Sequence, residues 1–379
     1  MKAKFRKVLR ALFDKAYVLA YIVCIGVTIL GLGLFLISGG ADGDHKAGIV
    51  TNHMVMTRYN EYITNSFSDS LEGIMSIKKV YWLSDHDIVA PKPDPAGYGE
   101  TNDPSKMQSV LDQAAELLDG QETIFTTDVV LCPGSKIRYY YDPTILVITW
   151  QEVRDGSVYT MGEVKIADAS QFRRFLSDGQ YSSGVKYLSS EMAKSVNAVL
   201  ASNGDYYANR RFGTVVYNGQ LMRTEGRYLD SCYIDDKGDM KFLRAGEITS
   251  EAEMERYIQE NNIRFNIAFG PILIEDGKTV PINRTYLIGE VTKFNERAAL
   301  CQKGELHYLL VLANPQPPYG NNQVLWRFAE QIQSMGVDKA YNLDGGRSGT
   351  MVINGKRINQ VDERKLSDII YFATAISSE

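Results

Sequence analysis

The sequence predicts an α+β protein, a mostly antiparallel mixed-sheet body with a few helices, preceded by one N-terminal transmembrane helix. Three observations predict it. From about residue 136, runs rich in β-branched and aromatic residues alternate with tight-turn dipeptides. Only a few segments space their apolar residues at helical intervals. Ala16 to Ile37 is a run of 22 residues without a charge, long enough to cross a hydrocarbon core at about 1.5 Å per residue.

The elements follow in chain order. Residues 1–15 hold six bases and one acid, Asp14. A basic flank before the apolar run and SGGADGD after it place the N-terminus in the cytoplasm and everything beyond about residue 40 outside it. The expected location is thus the cell membrane, single-pass. Residues 38–135 read as a juxtamembrane helical and linker region. Within it, 38–48 are a small, polar tether. Val50, Met54, Tyr59, Ile63, Phe67, Leu71 and Ile74 recur at helix-like spacings over 49–75, a face suited to packing on the body or on a second copy. Val80–Leu83 is strand-like, and the proline-rich stretch to Pro104 reads as a loop. Residues 106–119 predict an amphipathic helix ending at Gly120.

Residues 136–379 are read as the catalytic body. KIRYYY, TILVITWQEV and SVYTMGEVKI predict three strands, with Asp155-Gly156 turning the last two. SSEMAKSVNAVL predicts a helix capped by Ser189 or Ser190. Short strands then alternate with Asn218-Gly219, Lys237-Gly238, Asp276-Gly277 and Asn354-Gly355 turns. Two further helices are predicted, Glu251–Gln259 behind Ser250, and Gln323–Met335 before Gly336.

Composition excludes several functions. The chain has a net charge of −5; with +5 in residues 1–15, the remainder carries −10, which disfavours nucleic acid as a partner. Four histidines and four cysteines are scattered without metal-ligand spacing, so neither a metal nor another cofactor is expected.

The densest chemical signal is Asn342-Leu343-Asp344-Gly345-Gly346-Arg347-Ser348-Gly349-Thr350, where a strand runs into an acid and a glycine-rich loop. Glycines let backbone N–H groups approach a ligand, and Arg347 offers a planar donor fork for phosphate. A second cluster, Asn203-Gly204-Asp205-Tyr206-Tyr207, sets an amide, an acid and two aromatic rings after an apolar run. A third is Gly270-Pro271 followed by Arg284-Thr285. An ordinary hairpin loop, a loop whose tyrosines pack on the core, and a turn with a surface arginine are the bland readings of the three.

Together, NGDYY at 203–207, GPILIEDGK at 270–278, RT at 284–285 and NLDGGRSGTMVINGK at 342–356 resemble, in order, the motifs of the phosphodiester glycosidase family. The resemblance covers about 185–379. It implies hydrolysis of a sugar-1-phosphodiester in a cell-surface or exopolysaccharide glycan, with a phosphosugar or anionic glycan as partner. On that basis Asp344, Asp205 and Arg284 are the expected catalytic residues, Arg284 clamping phosphate with Arg347 second. Asn203, Gly204, Tyr206, Asn342, Gly345, Gly346, Arg347, Ser348 and Thr350 are the expected substrate-binding set, with Glu290 a reserve carboxylate. The chain departs from the family at Arg347 (usually Gly), at Gly349 (usually Ser or Thr), and at Ala313-Asn314-Pro315 (often Asp-Gly-Arg). The last departure keeps open an alternative, a non-catalytic glycan-binding or assembly factor of exopolysaccharide biosynthesis, and beside it a purely structural envelope protein.

Overall fold

The computed structural model describes residues 89–376 apart from 206, 316–319, 321, 360, 361 and 363. The expected basic tail, the anchor at 16–37, the tether, the 49–75 helix and the Val80–Leu83 strand lie outside the described residues. Among the described residues no helix is long and apolar enough to cross a membrane.

Among the described residues nineteen strands build the body. The first stretch holds β1 (Tyr98–Thr101), β2 (Ile137–Asp142), β3 (Ile145–Arg154), β4 (Ser157–Ile166) and β5 (Phe172–Leu176). Next come β6 (Leu200–Asn203), β7 (Val215–Tyr217), β8 (Gln220–Arg223), β9 (Ser231–Asp235) and β10 (Met240–Leu243). Then follow β11 (Ile263–Ile267), β12 (Ile272–Glu275), β13 (Lys278–Thr279), β14 (Arg297–Gly304) and β15 (His307–Asn314). Last are β16 (Lys339–Leu343), β17 (Met351–Ile353), β18 (Lys356–Arg357) and β19 (Asp368–Phe372).

The largest sheet runs β1-β2-β3-β4-β15-β14-β16-β12-β13, and its neighbouring strands pair antiparallel. Its central strands are apolar on both faces because both faces are covered. In β3, Leu146, Ile148 and Trp150 enter one core while Ile145 and Val147 enter the other, the period-two alternation of a strand. Helices α1 (Gln108–Gln113), α2 (Ala115–Leu118) and, near the C-terminus, a helix over Leu325–Gln333 pack into the first core. The second core lies against a five-stranded sheet, β18-β17-β6-β19-β5, and a three-stranded one, β10-β9-β11. Helix α3 (Ser189–Ser195) covers the far face of the five-stranded sheet through Met192, Ala193 and Val196. The layers are therefore helix, large sheet, smaller sheets, helix.

The predicted turns form as their residues require. Asp155-Gly156, Asn218-Gly219, Asp276-Gly277 and Asn354-Gly355 all take positive φ at both positions. The capping residue of α3 is Leu188, not Ser189 or Ser190, because the Glu191 carboxylate accepts from the Leu188 N–H at 2.9 Å. The helix over Glu251–Glu260 (α4) starts at Ser250 as expected, with the hydroxyl accepting from the Glu253 N–H. The Leu325–Gln333 helix, now α5, begins two residues later than its sequence pattern predicts.

One boundary moves. The sequence places the body's start at 136, yet β1 pairs with β2 through Tyr98↔Tyr140 to Thr101↔Ile137. Met107, Val110, Ala114, Leu118 and Phe125 join the core of Trp150. The Phe125 and Trp150 rings meet edge-on at 5.4 Å. The buried Glu163 carboxylate accepts from the Ile124 and Phe125 N–H groups at 2.6 and 2.8 Å and faces His307 Nε2 at 2.8 Å. Residues 98–135 are thus part of the body rather than a linker. Their proline and glycine content is that of a short edge strand and its approach.

A fragment covering 136–379 should therefore aggregate or lose its cooperative melt, whereas one covering 89–379 should keep it. Losing large core side chains costs about 2–5 kcal/mol each, and several are removed at once, against a total stability of about 5–15 kcal/mol. Differential scanning calorimetry of both fragments checks this; a cooperative transition in the shorter one would restore the boundary at 136.

Candidate functional site

Three strand ends converge at one end of the large sheet. β16 ends at Leu343, β14 begins at Arg297, and β12 begins behind Phe269-Gly270-Pro271. Ala298 pairs with Leu343, so Arg297 and Glu296 continue along the Asp344-Gly345 stretch. Around these ends lies a cleft of about 460 Å³, lined by Phe269, Ile288–Glu290, Asn295–Arg297, Asn342–Arg347 and Arg364.

Asp344 faces this cleft from the end of β16. Its backbone carbonyl accepts from Asn203 Nδ2 at 2.7 Å. Its Oδ2 accepts from Arg364 Nη2 at 2.6 Å. The side chain keeps 16% of its exposure, so a ligand can reach it. Burial raises its pKa; hydrogen bonding by Ser348 and the charge of Arg364 oppose that rise, and Asp205 adds to it. Arg364 also donates from Nε to the Ser348 hydroxyl at 2.6 Å, which locks the fork against the loop.

The glycine loop has local reasons for its sequence. A Cβ on Gly345 would lie 2.2 Å from the Glu296 carbonyl oxygen, and Gly346 has φ +57°. The Gly346 N–H donates to that same carbonyl at 3.2 Å, and the Ser348 and Gly349 N–H groups bond within the loop. Those three amides are therefore not open to a phosphate, contrary to the expectation for Gly346. Arg347 is exposed at the rim, paired with Asp362 at 3.1 Å.

Asn342 is buried, and its Nδ2 donates to the Gly270 carbonyl at 2.6 Å. Its Oδ1 has no hydrogen-bond partner, and the residue lines the cleft. A buried acceptor left unpaired costs about 1–3 kcal/mol, and this one has no accessible surface of its own.

The other expected residues fall elsewhere. Asn203 is a strut: Oδ1 accepts from the Thr350 N–H at 3.2 Å while Nδ2 holds the Asp344 carbonyl. Thr350 is wholly buried and does not line the cleft. Gly204 is a glycine because a Cβ there would lie 2.2 Å from an Asp368 carboxylate oxygen.

Asp205 has 0% side-chain exposure. It is ion-paired with Arg210 and, at 3.7 Å, with Arg174, and accepts from the Ala268 N–H at 2.8 Å. Arg174 in turn holds Asp368 at 2.7 Å. This geometry replaces the catalytic expectation for Asp205 with a positioning role, since its carboxylate has no path to a substrate.

Arg284 is exposed and stacks over Trp326 at 5.5 Å, outside the cleft lining, so it cannot clamp a ligand held at Asp344. Arg297 occupies the cleft instead, but carbonyls of Gly289, Glu290, Lys293 and Gln323 take its donors. It shapes the 289–293 loop. Glu290 is exposed and pairs with Lys293 and Asn295. Tyr206 lies outside the described residues. Tyr207 is buried beneath the Arg174 guanidinium at 5.4 Å, so the cleft's aromatic ring is Phe269.

Arg364 and Glu296 were not singled out in the sequence. Arg364 sits in an unpatterned segment before β19. Glu296 carried only the signal of being an acid directly before a strand. Among the described residues no cluster of three or more His, Cys, Asp or Glu side chains is placed to hold a metal ion.

A family model for phosphodiester glycosidases matches residues 196–373, just under half of the chain. Among solved structures, the catalytic domain of zebrafish N-acetylglucosamine-1-phosphodiester alpha-N-acetylglucosaminidase, auto-inhibited by its pro-peptide, shares the fold. It is 18% identical with a TM-score of 0.50, over 68% of this chain and 92% of that one. A hypothetical protein from Synechocystis is similar at 14% identity and a TM-score of 0.45, over 63% of this chain and 64% of that one. No curated protein matches the chain.

Asp205→Asn should lower stability by about 3–5 kcal/mol, because it leaves buried Arg174 and Arg210 short of a counter-charge. Activity per folded molecule should stay close to that of the parent. Thermal melts with active-site-normalised rates check this; a stable variant without turnover would return Asp205 to the chemistry.

Proposed function

We propose that the protein hydrolyses a sugar-1-phosphodiester, releasing the free sugar and a phosphomonoester, a reading supported by the match of residues 196–373 to the phosphodiester glycosidase family model. The observation that carries the reading is Asp344 at the end of β16, open to a cleft and gripped by Arg364. In this reading the sugar lies against Phe269. The phosphate faces Arg364 and Arg347, the two cations at that end of the cleft. Asp344 takes a proton from the attacking water and offsets positive charge developing on the sugar ring. The zebrafish relative's name supplies N-acetylglucosamine as the first sugar to test.

The protein's proposed place is the outer side of a membrane, anchored by 16–37, acting on a cell-surface or exopolysaccharide glycan. Protease treatment of intact cells should then degrade the body; survival of the body while a known surface protein is cut would reverse the orientation. A non-catalytic glycan-holding factor remains the second reading, favoured by Ala313-Asn314-Pro315, and binding without turnover would select it.

Incubation with UDP-N-acetylglucosamine and UDP-glucose, reading free reducing sugar, tests the activity. Asp344→Asn should lower kcat by about 10² or more. Stability should change by under about 1 kcal/mol, because the Asp344–Arg364 pair is partly exposed. Burial holds Asp344 above the ordinary 3.8, and a base must be deprotonated, so kcat/KM should rise with pH through a limb centred above that value. A large loss of stability with near-normal kcat would make Asp344 structural.

A further inference from the structure

Resting on the reading of the cleft as a phosphodiester glycosidase site, we infer that Glu296 is a second catalytic carboxyl group, the proton donor to the departing phosphate oxygen. It enters the cleft from the residue before β14, and the β14–β16 register sets it opposite Gly345. A Cβ on Gly346 would lie 3.6 Å from Glu296 Oε2, so the carboxyl group sits over the glycine loop. The residue is partly buried, and among the described residues no hydrogen bond or ion pair engages its carboxyl group.

The contrast with Asp344 assigns the roles. Asp344 has Arg364 at 2.6 Å, and that cation together with the Ser348 hydroxyl opposes the rise that burial imposes on it. The charged groups around Glu296 are otherwise committed. Arg347 is paired with Asp362, Arg364 with Asp344, Lys293 with Glu290, and the Arg297 guanidinium with four carbonyls. Burial raises the pKa of Glu296, with no charged neighbour opposing it. Burial raises both groups, but only Asp344 has a cation opposing the rise, and a carboxylate gripped by a cation beside one without is the arrangement of an acid–base pair.

The step balances. Water oxygen bonds to the anomeric carbon as the bond from that carbon to the phosphate oxygen breaks, its electron pair staying on the oxygen. The water proton goes to Asp344, and the Glu296 proton goes to the phosphate oxygen. Solvent exchange then restores both groups. Without that proton the product would leave as a dianion beside Asp344, since a phosphomonoester's second pKa is about 6.

Glycosyl fluorides separate the roles, because fluoride departs with little need of a proton. Glu296→Gln should lower kcat on the UDP-sugar by about 10² and remove the alkaline limb of the pH profile. It should leave turnover of the matching α-glycosyl fluoride within a few-fold of the parent. Glu296→Asp should keep the limb at reduced kcat, and melting curves verify that both variants fold. Asp344→Asn should lose both substrates. Equal loss of both substrates in Glu296→Gln, or an unchanged pH profile, overturns the proposal. A parent enzyme inert to both substrates overturns the broader reading instead. In that event the ¹³C-glutamate titration of the parent, assigned against Glu296→Gln, decides for Glu296 alone. A pKa at the ordinary 4.5 overturns the assignment, and one clearly above it supports a proton-holding group.

Discussion

The site stands on a buried network of four charges. Arg174 on β5 holds Asp368 on β19, and Asp368 accepts from the Asp205 N–H at 2.9 Å. Asp205 pairs with Arg210 and accepts from the Ala268 N–H just past β11. One cluster thereby bolts the five-stranded sheet to the three-stranded sheet. Each ion would be costly alone; the set is tolerated because oppositely charged partners and backbone groups surround it. Arg174 also donates to the Asn266 carbonyl, and the Asn266 side chain carries the bolt onward to Val216 and Thr214.

From that bolt the cleft follows in short steps. Ala268 fixes Phe269, whose N–H donates to the Tyr341 hydroxyl at 2.8 Å. The Gly270 N–H donates to the Asn342 carbonyl, the Asn342 N–H donates to the Pro271 carbonyl, and the Asn342 side chain donates to the Gly270 carbonyl. On the other side, Asn203 leaves β6 and supports the Asp344 carbonyl and the Thr350 N–H at once. Asp344 is thus held through its backbone by one sheet and through its carboxylate by Arg364. Its main chain is fixed while its side chain lines the cleft, the arrangement that holds a functional group in place.

Much of this was legible. The β2–β4 strands, the Asx-Gly turns and Ser250 announce themselves through local rules, since period, φ and capping act within a few residues. The placement of Asp344 was legible for the same reason, since an acid where a strand meets glycines does line the cleft. The rest depends on contacts distant in sequence. Asp205 and Asp344 sit in similar local patterns, an apolar run followed by an acid and small residues, yet one is sealed among arginines and the other open. Nothing near Asp205 in the chain tells that Arg174 and Asp368 will surround it. Arg284 beside Thr285 and Arg297 beside Ala298 are likewise separated only by tertiary placement. β1 was hidden because a four-residue edge strand flanked by prolines has too few residues to show a period.

The departures from the family pattern acquire a physical meaning in this frame. Of the loop's glycines, Gly345 is required by the close Glu296 carbonyl and Gly346 by its positive φ. The third position takes an ordinary backbone conformation, so Arg347 fits without strain and puts a cation at the rim. Gly349 meets only ordinary contacts, so a small hydroxyl residue would fit equally well there. The Ala313-Asn314-Pro315 replacement removes an acid from β15, and Ala313 pairs across the ladder with Arg297. The residue beside Arg297 is Glu296. Glu296 at the neighbouring strand end faces the glycine loop, so the cleft keeps Glu296 beside Asp344 although the acid of the β15 motif is gone.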